Sequence, residues 1–388
     1  MGRIPVAYDT AAWIPAQFQI VSQTRPVQVH VHSLHCAETI CILRWSAPAL
    51  SREHLQQEVV VALTEESFDF EHGGTQKNTY SADEVIEVPC PLCGSDKRRR
   101  IYTEHVSVGV SQCLACSLVY TSPRTREPEK VYWGDAKAIY EEARLIFEGK
   151  APHHRDPNYL HEMETIERYK KRGRFLDVGC NIGMILRHAT KRGWEVVGVE
   201  PSPPQANLCT GFGFKVYNCF LNELPASEVG LFDVVAFSDV FEHVTEPLAF
   251  LQQASRFLKP DGILFVKVPN MKWSMFKQRM LTLAGRHPSQ GVWGSYEHVV
   301  HYSDKTLVAM LRKGGFEVLR LGIEPPVQIP NWHEYVGRYY QYPTPLFMDW
   351  KRKLVRYASY RLSKVERLVR LGSVGYLAPN LVAVAKKR

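Results

Sequence analysis

From Arg174 onward, short apolar runs alternate with helix-length segments. The runs are Phe175-Leu-Asp-Val, Glu195-Val-Val-Gly-Val, Phe232-Asp-Val-Val-Ala-Phe, Gly262-Ile-Leu-Phe-Val-Lys-Val and Phe316-Glu-Val-Leu, and Asn380-Leu-Val-Ala-Val-Ala reads as a closing strand. Runs so nearly continuous in apolar residues belong to strands covered on both faces, so the pattern predicts an α/β fold built on a Rossmann-like, doubly wound, mainly parallel seven-stranded sheet. A helical pattern from Tyr159 to Lys171 precedes the first run, and another from Met184 to Arg192 follows it. Upstream the periodicity is weaker. Residues 1–86 mix alternations such as Val27-Gln-Val-His-Val-His32 with proline and charge, which predicts a few strands and no motif. His30, His32, His35, Cys36 and Cys41 gather there at spacings that fit no common metal site, and they read as strand side chains.

Length and composition narrow the class. A chain of 388 residues exceeds one ordinary core and predicts two or three units. With 45% hydrophobic and 23% charged residues, the composition is that of a globular protein. The net charge is +8, and most of it sits between Leu346 and Leu371, where eight basic residues face two acidic ones. In the same segment Phe347, Trp350, Leu354, Tyr357, Ala358, Val365 and Leu368 recur at helical spacing. The reading adopted is an amphipathic helix packing on the domain with a solvated basic face; an interfacial helix on anionic lipid and a patch for an acidic or nucleotide-linked substrate compete with it. No run of 18 apolar residues occurs, Met1-Gly-Arg-Ile-Pro lacks a signal-peptide pattern, and Val6 spoils a myristoylation signal. A cytoplasmic location is expected, with peripheral membrane contact through 346–371 as the variant. Nine cysteines in a reducing compartment would be thiols or metal ligands.

The first strand runs into Asp177-Val-Gly-Cys-Asn-Ile-Gly183 and then a helix, and Glu200 ends the second strand. Gly179 and Gly183 permit a tight turn and a close ligand. Asp177 ends an otherwise apolar strand, where a carboxylate needs a donor, and a cationic amino-acid ligand supplies one. Glu200 is placed to accept both ribose hydroxyls. Together these residues resemble the first two motifs of class I S-adenosylmethionine-dependent methyltransferases. Phe232-Asp-Val-Val-Ala-Phe-Ser-Asp-Val-Phe-Glu-His-Val244 with Pro247, and Leu258-Lys-Pro-Asp-Gly-Ile-Leu264, resemble the fourth and fifth. The resemblance covers about Tyr159 to Phe316 and the final strand. It implies that Asp177, Gly179 and Gly183 hold the methionine moiety and Glu200 the ribose, with Leu221 and Asn222 near the adenine, and that Asn181 and Asp239 are among the cofactor-binding residues. Asn181 departs from the family, which usually has glycine there.

Cys90-Pro-Leu-Cys93 and Cys113-Leu-Ala-Cys116 are two C-x2-C knuckles separated by 19 residues, the spacing of a four-thiolate zinc site. Four ligands leave no open position, so a structural zinc in a small zinc-ribbon-like module is expected. A redox pair would need one knuckle and a βαβ context. Cys180, Cys209 and Cys219 fall among the sheet elements and read as packing residues.

Methyl transfer asks the protein to place the nucleophile and exclude water, and a general base helps a hydroxyl or carbon acid. His243, beside Asp239 and Glu242, and the group Glu297, His298, His301 and Tyr302 are the candidates; His243, His298 and His301 are the candidate bases. Ser303 reads as the cap of a following helix. The predicted organisation is 1–86 of unknown role, 87–125 zinc-binding, 126–324 the methyltransferase domain, 325–371 the basic insertion and 372–388 the closing strand. The reading is a methyltransferase acting on a small molecule, with a sugar or glycolipid precursor suggested by the resemblance alone. An RNA methyltransferase, gripping phosphates with zinc and basic residues, and a noncatalytic binding protein are the alternatives; the Asn/Asp-Pro-Pro-Tyr tetrad of base amino-group methylation is absent.

Overall fold

The computed structural model describes residues 80–104, 107–128, 143–150, 153, 155–285, 292–324, 350–370 and 373–388, and seven short strands upstream of them. Those strands are β1 (Gln19–Val21), β2 (Pro26–Gln28), β3 (His30–Ala37), β4 (Ile40–Ser46), β5 (Val59–Ala62), β6 (Glu66–Asp69) and β7 (Gly74–Lys77). The chain divides into Met1–Ser67 and Phe68–Arg388. In the first unit β3, β4 and β5 form an antiparallel sheet. The histidines and cysteines at 30–41 lie on β3 and β4, and their side chains are outside the described residues.

In the second unit, after β7, come β8 (Val85–Ile86), β9 (Arg98–Glu104), β10 (Val108–Cys113), β11 (Val119–Thr121) and β12 (Arg124–Thr125). The large sheet follows: β13 (Arg174–Val178), β14 (Glu195–Val199), β15 (Val216–Tyr217), β16 (Phe232–Ser238), β17 (Leu258–Pro269), β19 (Phe316–Glu324) and β20 (Asn380–Lys387). Between them β18 (Val300–His301) leaves for the other sheet. The seven strands run in the order β15-β14-β13-β16-β17-β20-β19, and β20 is antiparallel to both neighbours. The order reverses at β13, the switch point at whose carboxyl end doubly wound sheets bind ligands.

Helices among the described residues include α1 (Asp156–Glu167), α2 (Met184–Lys191), α3 (Pro203–Gly211), α4 (Ala226–Val229), α5 (Pro247–Phe257), α6 (Met271–Leu283), α7 (Asp304–Lys313) and α8 (Trp350–Val369). Successive residues of a strand point to opposite faces. Val234 and Ala236 of β16 therefore pack with Met163 and Ile166 of α1 and Ile185 of α2, whereas Val235 and Phe237 pack with Leu251 of α5 and Leu307 and Met310 of α7. This two-sided burial explains why the strands read as unbroken apolar runs. Cys180 and Cys209 are buried together with Leu186, as packing residues.

The basic insertion differs from its expected packing. Ser359, Tyr360 and Ser363 face inward, while Ala358, Leu362, Val365 and Leu368 are exposed. The inner face combines Tyr360, packed in the apolar core, with hydrogen bonds: Glu366 accepts from the amides of Tyr376 (2.8 Å) and Leu377 (2.9 Å), and the Ser359 hydroxyl donates to the Leu377 carbonyl (2.7 Å). The amides of the returning chain find their acceptors on this face, and the apolar stripe lies on the other. Phe347 and the side chains of Trp350, Leu354 and Tyr357 lie outside the described residues.

Helix α7 begins with a reciprocal cap, in which Ser303 Oγ accepts from the Thr306 amide (3.2 Å) and Thr306 Oγ1 from the Ser303 amide (2.9 Å). Replacing Ser303 by Ala should lower the unfolding free energy by about 1 kcal/mol, measured by urea denaturation with an unchanged m-value.

Candidate active site

The turn after β13 is held open by three residues in the left-handed region, Gly179 (φ 70°), Asn181 (φ 48°) and Gly183 (φ 76°). A Cβ on Gly179 would come within 2.7 Å of Val240 Cγ2, so the position requires glycine on two counts. The position where the family usually has glycine is filled by Asn181, and asparagine is among the residues that adopt this conformation most readily. Its amide donates to Glu200 Oε2 (2.8 Å), while the Ser202 amide donates to Glu200 Oε1 (2.9 Å). The carboxylate at the end of β14 is thus aimed from two sides, with lone pairs left for a ligand. Burial pushes Glu200 up to about 7, against the pull of those amides.

Asp177, at the end of β13, is buried. Burial and the neighbouring carboxylates of Glu162 and Glu200 push it well above the ordinary carboxylate range. Two buried acids of raised pKa flanking a glycine turn are a site that gains from a cationic, hydroxyl-rich ligand. Leu221 is buried in the core beside Val199, and Asn222 is exposed.

Beneath this loop lies a charge network that the sequence reading did not anticipate. Lys267 of β17 is fully buried, and its Nζ contacts Glu162 Oε1 of α1 (2.7 Å) and Asp239 Oδ2 (2.9 Å). Ser238 Oγ donates to Glu162 Oε2 (2.6 Å), and Arg155 pairs with Asp239. Burial disfavours ionisation of Asp239, yet Lys267 and Arg155 outweigh it and hold the carboxyl below its usual range. Asp239 itself takes a left-handed backbone (φ 58°). A single lysine inside the apolar run Ile263 to Val268 was the available signal, since a buried ammonium demands partners.

The chain then turns through a short 3-10 helix, Phe241–His243. Glu242 is buried with Oε2 unpartnered, and burial together with Asp239 pushes its carboxyl well above the usual range. His243 Nδ1 lies 3.2 Å from the Glu297 carbonyl, and its ring meets His298 at 4.7 Å between centroids. Of the three candidate bases the structure brings His243 and His298 together, both partly exposed. Ligand atoms of Glu242, His243 and His298 all lie within 4.8 Å of one another, an arrangement able to pass a proton or hold a divalent cation. His301 sits apart, buried against Trp293 (5.1 Å, edge-on), and burial pushes it down to about 3. Tyr302 stacks on Phe241 in the core.

The four knuckle cysteines converge. Cys90 and Cys116 Sγ atoms are 3.5 Å apart, as are those of Cys93 and Cys113, and all four lie within 4.8 Å. A tetrahedral zinc with bonds of about 2.3 Å would separate thiolates by about 3.8 Å, which this set accommodates. The module is also built into the histidine loop. β18 pairs with β11, aligning Val119 with His301. Thr121 Oγ1 donates to the His298 carbonyl (2.9 Å) and lies 3.2 Å from His301 Nε2. The buried Glu104 carboxylate, at the end of β9, accepts from the amides of Trp293 (3.0 Å) and Ser295 (2.9 Å) and from Ser295 Oγ (2.6 Å).

Residues 152–321 match a family described as Methyltransferase domain. The ubiquinone biosynthesis O-methyltransferase of Bradyrhizobium sp. (strain ORS 278) is 37% identical over 109 residues, 26% of this chain and 42% of that protein. The mitochondrial enzyme of the same name from Bos taurus is 30% identical over 151 residues, 36% of this chain and 40% of that one. A solved S-adenosylmethionine-dependent methyltransferase from Archaeoglobus fulgidus aligns with a TM-score of 0.39 at 18% identity, over 63% of this chain and 99% of that one. The chain spans about two-fifths of the length of the curated relatives it matches.

Replacing Lys267 by Met leaves the buried Glu162 without its cation and Asp239 with Arg155 alone. The expected cost is roughly 3–5 kcal/mol, read by urea denaturation, and a double replacement with Glu162→Gln should recover part of it.

Proposed function

We propose that this chain, whose residues 152–321 are a class I S-adenosylmethionine-dependent methyltransferase domain, transfers the methyl group of S-adenosylmethionine to a small-molecule acceptor. The observation that carries the reading is the pairing of two buried, proton-hungry carboxylates, Asp177 and Glu200, across one glycine turn. In it Asp177 and the turn amides would hold the amino-acid end of the cofactor and Glu200 the ribose. The cofactor supplies a carbon made electrophilic by its sulfonium. The chain's own residues supply placement and the proton path.

His243 and His298 are the residues we assign to the proton. His301, which burial keeps neutral, is the less suited of the three and has a positioning place beside Thr121. An acceptor hydroxyl would give its proton to one imidazole while the neighbouring ring, 4.7 Å away, shares the charge. The relatives' O-methyl chemistry favours a hydroxyl acceptor; within that class we propose a sugar or glycolipid precursor. A divalent cation held by Glu242, His243 and His298 is a second reading, favoured by the unpartnered buried oxygen of Glu242. Turnover that survives exhaustive chelation would dismiss it. An RNA acceptor has less support, because the exposed basic helix carries an apolar stripe that phosphates would not use.

The test is binding of S-adenosylhomocysteine by isothermal titration. Glu200 must shed its proton before it accepts two ribose hydroxyls, and that proton is held up to about 7. Affinity should therefore rise with pH, by about tenfold between pH 6 and pH 8, and Glu200→Gln should flatten the profile. No binding at either pH by the native chain would end the methyltransferase reading.

We assign the knuckle cysteines a structural zinc. Metal analysis should find one zinc per chain, lost in Cys113→Ser. Because Thr121 and Glu104 tie the module to residues 293–301, removing the metal should raise amide exchange over those residues and leave residues 174–200 protected.

A further inference from the structure

Between 358 and 370 every exposed side chain of α8 is apolar or basic. Leu362, Val365, Leu368 and Val369 are 58%, 60%, 79% and 78% exposed. They recur three and four residues apart, so they form one stripe along the helix. Single exposed leucines are ordinary, whereas a contiguous stripe marks a surface with a partner. Arg361, Lys364 and Arg370 are exposed alongside it. Glu366, the single acid between 350 and 370, is spent on the amides of Tyr376 and Leu377.

We propose that α8 docks on an anionic lipid surface, with the stripe sunk among the acyl chains and Arg361, Lys364 and Arg370 on the lipid phosphates. Charge complementarity selects this occupant. A second copy of the chain meeting the stripe about a two-fold axis would set its three cations against the same three. A nucleic acid would engage the charges and leave the apolar stripe in water. A membrane interface takes both, and the combination of an apolar face with flanking lysine and arginine is the arrangement that interfacial helices use.

The helix is fixed to the working end of the sheet. Past its last turn, the carbonyls of Gly375 and Ala378 accept from Asn270 Nδ2 (3.1 and 2.8 Å), and Asn270 follows β17 directly. Docking would therefore set the carboxyl ends of the strands near the lipid. The proposal does not rest on the methyltransferase reading, since the stripe and its charges are outside the cofactor loop.

Co-sedimentation of the full chain with vesicles tests it. Binding to vesicles of phosphatidylcholine with about one-third phosphatidylglycerol should exceed binding to phosphatidylcholine alone by about tenfold or more, and should fall with salt. The variant Leu362→Asp, Val365→Asp, Val369→Asp should bind no better than to neutral vesicles, with its thermal midpoint and its affinity for S-adenosylhomocysteine unchanged. Equal binding of the native chain to both vesicles, or undiminished binding of the triple variant, overturns the proposal. A concentration-dependent dimer, seen by light scattering and dissolved by the same substitutions, would give the stripe to a second copy and overturn it as well.

Discussion

An ammonium group in the middle of a sheet must be neutralised where it stands, and Lys267 sets that requirement here. Its two direct partners come from separate elements: Glu162 from α1 and Asp239 from the turn after β16. Satisfying one cation therefore fixes how α1 lies on the sheet and how the chain leaves β16. The left-handed backbone at Asp239 is part of that solution, and it directs the chain into the short helix that carries Glu242 and His243. Glu162 also lies close enough to Asp177 to raise its pKa. Asp177 at the glycine turn and His243 in the short helix are thus set by the same buried charge.

The paired imidazoles have a second support that does not belong to the large sheet. His298 and His301 sit in a segment whose backbone is held by Thr121 and Glu104, from strands on either side of the second cysteine knuckle. The groups that fix the geometry of this segment come from the cysteine module. The knuckles are then more than an independent stabilising appendage. They brace the segment that presents one of the two paired imidazoles.

Much of this was legible in the chain. Burial on both faces leaves unbroken apolar runs, which is why β13, β14, β16, β17 and β20 could be read directly, and a positive φ narrows residue choice enough to mark the glycine turn. The paired knuckles announce themselves through spacing. What stayed hidden depends on partners distant in sequence. Lys267 looked like one polar residue in a strand, and nothing local names Glu162 as its partner. Nothing near Glu104 in the sequence points to the amides of Trp293 and Ser295, which it accepts from. The two-residue β15 and β18 are too short to carry a pattern. The orientation of α8 was misread because hydrophobic periodicity reports that a helix has two faces, not which of them the returning amides at 376 and 377 will claim.

Strand β18 joins β11 across a long stretch of chain, and the contacts beside it span separations of 177 and 191 residues. Contacts so distant in sequence form slowly, because the intervening chain must first be ordered. The glycine turn and Glu200, by contrast, are only 19 residues apart. During folding the glycine turn and Glu200 should therefore come together well before the segment that carries His298. The segment that carries His298 is then the part of the chain whose geometry is settled last.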